Sequence, residues 1–260
     1  VGRQGSGHFV KMIHNGIEYV EMQLLAECYS ILKNQRQSND EIAMVFESWM
    51  KDLGSYLLGI TVEILRKKEG DKYLLDNILD KAGNKGTGKW ATVSIADSGE
   101  PATMIPSALF ARYLSFFKEK REAAASVFST IGAGDDISTL RLKEAYQFSR
   151  IINHHQVFSI IARVSDQNNW NVDLSEIARI WTEGCIIKSD FMKELVEHLK
   201  RDDSILFNEK LSQIIKKTYT SIQSVAIECI RRELHIPCLL EAINFFHGIK
   251  SANSSANLIQ

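Results

Sequence analysis

Apolar residues recur at intervals of three and four along most of the chain, the spacing of a helix with one face turned to a core. The pattern predicts helices over residues 9–32, 55–66, 105–128, 140–164, 173–187, 191–199, 211–234 and 237–249. A further helix is predicted in "SNDEIAMVFESWM", where Ser38 and Glu41 have the spacing of a capping box. No stretch alternates with the period of a strand, and only three prolines punctuate the chain. The fold class this implies is all-α. Loop signals fall at "KAGNKGTGKW", "DSGEPATMIP", "GAGDDIS" and "SDQNNWNVD", and the tail "KSANSSANLIQ" loses the helical pattern.

The pattern also repeats itself. "EIAMVFESWMKDLGSYLLGITVEILRK", from Glu41, can be laid on "EIARIWTEGCIIKSDFMKELVEHLKR", from Glu176. Phe46 corresponds to Trp181 and, with one residue of slippage, Ser55 to Ser189. Each copy follows a long predicted helix. The expectation is one helical domain over residues 1–260, made of two similar multi-helix repeats, approximately 8–134 and 138–250.

Composition changes this picture little. The chain has 260 residues, enough for a large core, with 45% hydrophobic and 24% charged residues. Its 31 basic and 32 acidic residues nearly cancel, so no global field draws it to nucleic acid or to an anionic membrane. Any anionic ligand must be held by a local pocket. Apolar runs such as "SYLLGI" and "AINFF" are far shorter than the roughly 18 residues of a membrane span. Cys28, Cys185, Cys229 and Cys238 are scattered without a CxxC, as in free thiols of a reducing cytoplasm. The first residue is Val1, and the expectation is a chain that starts inside a longer protein.

Candidate chemistry concentrates near the start, in "VGRQGSGHFVKMIHNGIEY". A dinucleotide loop presents its glycines from a preceding strand, and only Val1 precedes Gly2. The glycines therefore read better as a tight entry that brings backbone close to a ligand or another domain. In the helix that follows, Lys11, Asn15 and Glu18 fall within about 60° of one another, flanked by His14 and Tyr19. Such a stripe faces either a cavity or open water. The corresponding part of the second long helix, "YQFSRIINHHQVF", does not carry the Lys/Asn/Glu stripe, which favours function over scaffold. His154 and His155 are adjacent, diverge by about 100° on a helix, and lack the spacing of a metal pair; no metal is expected. "GNKGTGKW" sets Lys85 and Thr87 in a glycine-rich turn that suits a phosphate or an ordinary turn. "SALFARYLSFF" places Arg112 in an apolar helix, where it needs a carboxylate or a ligand anion.

Together "GSGHFVKMIHNGIEY", "NKGTGKW", "ALFARYLS", "GCIIKSDF" and the final "SANLIQ" resemble the 6-phosphogluconate dehydrogenase family. They stand in the family's order over nearly the whole chain. The resemblance implies oxidative decarboxylation of 6-phosphogluconate to ribulose 5-phosphate with reduction of NADP, in a cytoplasmic homodimer. It also implies that this chain is the family's helical substrate-binding and dimerisation domain. The N-terminal Rossmann domain that binds NADP, and a tail bearing an Arg and a His that reach the neighbouring subunit's site, are expected to be absent from it.

The resemblance further implies roles. Lys11 is the general base for the 3-hydroxyl, a task open only to its neutral form. Glu18 is the acid that protonates the enediol, about two helical turns or roughly 10 Å from Lys11 along the axis. His14 and Asn15 bind the substrate's hydroxyls and carboxylate; Tyr19, Lys85, Thr87 and Arg112 hold its phosphate. The family usually continues "GKWT", whereas Ala91 follows Trp90 here. Two other readings are a β-hydroxyacid dehydrogenase relative acting on a smaller acid, without need of Lys85, Thr87 and Arg112, and a non-catalytic helical interaction module.

Overall fold

The computed structural model describes all residues except 1, 3, 84, 85, 129–131, 133, 202 and 203. Two long helices, α1 (Ser6–Asn34) and α7 (Thr139–Gln167), each 29 residues, pack against each other. Around α1 come α2 (Asn39–Leu53), α3 (Tyr56–Arg66), α4 (Thr87–Ser98) and α5 (Met104–Ser115), followed by α6 (Lys118–Val127), which buries no residue. After α7 come α8 (Leu174–Ile180), α9 (Asp190–Leu199), α10 (Glu209–Arg231) and α11 (Pro237–Ile249). The strands among the described residues are β1 (Lys68–Glu69) and β2 (Lys72–Tyr73), a two-residue hairpin. The all-α fold class expected from the sequence is the one observed.

The helix starts follow from local chemistry. Ser38 and Glu41 form the reciprocal capping box that opens α2. Ser55 and Ser189 accept the backbone N–H of Leu58 and Met192, opening α3 and α9. These two serines also meet each other in an antiparallel bridge. On either side of it, the N–H of Tyr56 donates to the Lys188 carbonyl and that of Asp190 to the Gly54 carbonyl, both at 3.0 Å. Ser55 and Ser189, matched in the sequence echo, are thus neighbours whose flanking residues are hydrogen-bonded to each other.

Helix α7 is buried on nearly every side, which explains its weak apolar stripe. Its polar interior residues find specific partners. Arg150 Nε lies 3.2 Å from Glu21 Oε2 on α1, and Tyr146 donates to the same carboxylate at 3.0 Å. Glu27, also buried, accepts the N–H groups of Cys238 and Leu239 and so caps the start of α11. The four cysteines are free thiols, three of them buried.

Three expectations need correction. The helix predicted over 105–128 is two helices. Phe116 and Phe117 break it, Arg121 donates to the Ser115 carbonyl at the end of α5, and Asp80 gathers Lys118 and Arg121. The helix predicted over 173–187 ends at Ile180, where Gly184 in a left-handed conformation turns the chain toward Ser189. α4 takes in the end of the loop predicted at "KAGNKGTGKW", so Thr87 opens a helix, and runs into the start of "DSGEPATMIP"; it buries mainly small residues, Gly88, Ala91 and Ser98, and so gave little apolar signal.

Candidate active site

Helix α1 carries the stripe toward the start of α4 and the end of α5. There Asn15, Glu18, Tyr19, Gly83, Thr87 and Arg112 line a cavity of about 310 Å3, at the small end of the roughly 300–1,000 Å3 range of small-ligand pockets. Asn15, Glu18, Thr87 and Arg112 are half-buried and Tyr19 is buried. The structure thus brings together five of the eight residues singled out in the sequence. Lys11 and His14 do not line this cavity. They sit one turn back on α1, paired with each other. Lys85 lies outside the described residues.

Arg112 is the centre of this cavity's charge. Its guanidinium carbon lies 3.8 Å from the Tyr19 ring centroid, a cation–π stack. Nη1 donates to the Gly83 carbonyl at 3.1 Å, and Nη2 reaches Met22 Sδ at 3.8 Å. No carboxylate forms an ion pair with it among the described residues. Burial pulls its ionisation below the usual range, partly offset by Tyr19 and Glu18. A half-buried cation without a carboxylate is suited to an external anion. The start of α4 points the same way. Gly86, in a left-handed conformation, is its N-cap and no side chain caps the first turn, leaving N–H groups for a ligand.

Further back, Lys11 Nζ is 3.1 Å from His14 Nδ1, which is also 3.3 Å from Asn15 Oδ1. Lys11 is exposed, whereas His14 is only 2% exposed. Burial first, and Lys11 second, hold His14 down at about 4, so the imidazole is neutral at pH 7. His154 and His155 are buried in α7, also held down to about 4 by burial; His154 Nδ1 lies 2.8 Å from the Arg150 carbonyl. Among the described residues no three His, Cys, Asp or Glu side chains are placed to hold a metal ion, and no helix is long and apolar enough to cross a membrane.

A larger cavity of about 360 Å3 lies at the Ser55–Ser189 seam, but it holds none of the singled-out residues, and Lys188, Lys193, Glu63, Glu183 and Asp190 mix both charges there. The smaller cavity holds five of the eight singled-out residues, among them a guanidinium with no carboxylate partner among the described residues. Sequence reasoning missed three contributors. Gly83 supplies a carbonyl. Gly88 admits Tyr19, since a Cβ there would lie 2.6 Å from Tyr19 Cε2. Trp181, in the second half of the chain, packs edge-on to His14. The G-x-G around Thr87 was a signal for the second; the others depend on tertiary contacts.

Known proteins resemble this chain over nearly its whole length. The family described as 6-phosphogluconate dehydrogenase, C-terminal domain, matches residues 7–260. A relative from Lactococcus lactis subsp. lactis, named 6-phosphogluconate dehydrogenase, decarboxylating, is 38% identical over 271 residues, covering 100% of this chain and 57% of its own length. One of the same name from Pseudescherichia vulneris is 38% identical over 270 residues, covering 100% of this chain and 61% of its own. A solved structure of Plasmodium falciparum 6-phosphogluconate dehydrogenase, described in its apo form and in complexes with its cofactor NADP+ and its substrate 6-phosphogluconate, superposes with a TM-score of 0.94 at 35% identity, over 100% of this chain and 58% of that one. The chain therefore spans about three fifths of the length of the relatives it matches, and it belongs to the 6-phosphogluconate dehydrogenase C-terminal domain family.

Proposed function

We propose that this chain supplies the substrate site and the proton-transfer residues for oxidative decarboxylation of 6-phosphogluconate to ribulose 5-phosphate. The observation that carries this reading is Arg112: half-buried, stacked on Tyr19, without a carboxylate partner among the described residues, and opening into a cavity with Thr87, Asn15 and Glu18. Arg112, Thr87, Tyr19 and the first-turn amides of α4 bind the phosphate, joined by Lys85. Asn15 orients the hydroxyls and carboxylate. His14, buried against Lys11, acts on the substrate through Lys11 and Asn15 rather than by direct contact.

Lys11, open on the same face of α1, takes the proton of the 3-hydroxyl. Glu18, inside the cavity, gives a proton to the enediol carbon after carbon dioxide leaves. The two lie at opposite ends of the stripe, so each can serve a different end of the reacting segment. Hydride acceptance belongs to NADP. The described residues build no cradle for it: the run from Gly5 to Gly7 is the entry of α1 rather than a strand-to-helix turn, and the strands are a two-residue hairpin.

A convergent anion site argues against a relative confined to small unphosphorylated acids. A polar stripe that partly faces a cavity argues against a purely structural interaction module. Self-association into a homodimer is part of the proposal, supported by Phe110, Phe116, Phe117 and Phe128, exposed on and beside α5 and α6. The test is titration of the chain with 6-phosphogluconate and with unphosphorylated gluconate, followed by NMR. Weak, millimolar shifts around Thr87 and Arg112 with the phosphorylated sugar alone are expected. Equal responses to both would remove the phosphate site.

A further inference from the structure

Arg112 has three partners. Two are the Tyr19 ring, 3.8 Å from the guanidinium carbon, and the Gly83 carbonyl, which accepts from Nη1 at 3.1 Å. The third is chemically changeable: Nη2 points at Met22 Sδ, 3.8 Å away. Met22 stands on α1 one turn beyond Glu18 and is half-buried. It also lines an apolar groove of about 250 Å3 with Tyr29, Leu57 and Ile60. Ala26 and Ile64, in the same wall, are exposed, so this groove opens to water. Met22 thus joins the anion cavity to a surface that a small solute reaches.

A thioether sulfur is only a weak acceptor, so a phosphate can draw Nη2 away from it. Oxidation changes that balance. With hydrogen peroxide the thioether becomes a sulfoxide: an S–O bond forms, the peroxide O–O bond breaks, sulfur gives up two electrons, and the second oxygen leaves as water. The product is polar and chiral, and each epimer is reduced back by its own sulfoxide reductase. One epimer carries its oxygen on the side of the sulfur that faces Nη2, within hydrogen-bond reach. We propose that Met22 is a reversible oxidation site for peroxides, and that its sulfoxide holds the Nη2 arm of Arg112 and so weakens the cavity's grip on a phosphate. The weakened grip rests on reading this cavity as the phosphate site; the bond between sulfoxide and Arg112 does not.

The test is 15N–1H correlation spectroscopy of the chain with 15N-labelled arginine, before and after hydrogen peroxide and then a thiol to reverse cysteine oxidation. Mass spectrometry follows Met22, and the Arg112 signal is assigned through its contact with the Tyr19 ring. A second Arg112 signal is expected to grow in step with Met22 sulfoxide. Molecules carrying it are expected to bind 6-phosphogluconate roughly tenfold more weakly, the loss of about one charge-assisted hydrogen bond. Methionine sulfoxide reductases are expected to restore both signal and affinity. Met22→Leu, treated alike, is expected to keep its own untreated affinity, although exposed Met44 oxidises in it too. An Arg112 signal unchanged when Met22 is fully oxidised overturns the proposal even if the variant does not fold. So does equal binding of 6-phosphogluconate by both forms, or a Met22→Leu that loses as much affinity as the unmutated chain. If the signal responds while 6-phosphogluconate binds neither form, the functional reading falls and the oxidation site stands.

Discussion

Tyr19 and Arg112 are stacked, with the guanidinium carbon 3.8 Å from the ring centroid. Gly88 also lies against the ring: a Cβ there would meet Tyr19 Cε2 at 2.6 Å and Leu109 Cδ1 at 3.1 Å. Absence of a side chain at Gly88 therefore sets where Tyr19 lies, and Tyr19 sets where Arg112 lies. In the complete enzyme, Arg112→Met should weaken phosphate binding by about 1.5–3 kcal/mol, roughly tenfold to a hundredfold in KM. Gly88→Ala should raise KM in the same direction without touching a charge, and overpacking should cost about 1–3 kcal/mol of stability. An unchanged KM in Gly88→Ala would show that the stack does not position Arg112.

Lys11 and Glu18 are assigned different protons, so their variants should fail differently. Lys11→Met should abolish oxidation while leaving 6-phosphogluconate binding largely intact. Glu18→Gln should impair product formation more than the oxidative half-reaction, because an amide has no labile proton to give. Single-turnover NADPH formation, compared with ribulose 5-phosphate release, separates the two. Near-normal oxidation by Lys11→Met would remove it as the base.

Stability should depend on pH in a defined sense. His14, His154 and His155 are held down to about 4 by burial, so each is neutral in the fold and takes up a proton on unfolding between about pH 4 and 6.5. Their contribution is present above pH 6.5 and lost as pH falls toward 4. Glu27 acts oppositely: burial pushes it up to about 7, against its bonds from Cys238 and Leu239, so its contribution is present below about 4.5 and lost as pH rises through 7. The three histidines outnumber the one carboxyl, and unfolding should take up about two protons net at pH 5, falling to about one at pH 6.5. Urea midpoints should fall with pH across that window, more steeply in Glu27→Gln. An unchanged slope in that variant would mean that Glu27 is ionised in the fold.

The helices and the stripe were legible because a 3.6-residue period and a same-face spacing are local properties. Lys11, Asn15 and Glu18 could be placed on one face from numbering alone, and the capping box at Ser38 announced the start of α2. Helix α4 was not legible, because small residues such as Gly88 and Ala91 pack closely without a strong apolar stripe. The break at Phe116 was hidden for a different reason: it depends on Asp80, distant in sequence, drawing in Lys118 and Arg121. The burial of His14 is likewise a tertiary fact. Trp181, from the far half, packs edge-on to its ring.

The central claim is that this chain holds substrate and moves protons but does not bind the dinucleotide. The measurement is absorbance of NADPH with the purified chain, NADP and 6-phosphogluconate, repeated after a relative's nucleotide-binding domain and C-terminal tail are joined to it. Hydride transfer needs the nicotinamide held about 3–3.5 Å from the reacting carbon. The account predicts no NADPH from the chain alone and NADPH formation once those parts are supplied, lost again in Lys11→Met. NADPH formation by the chain alone would contradict it.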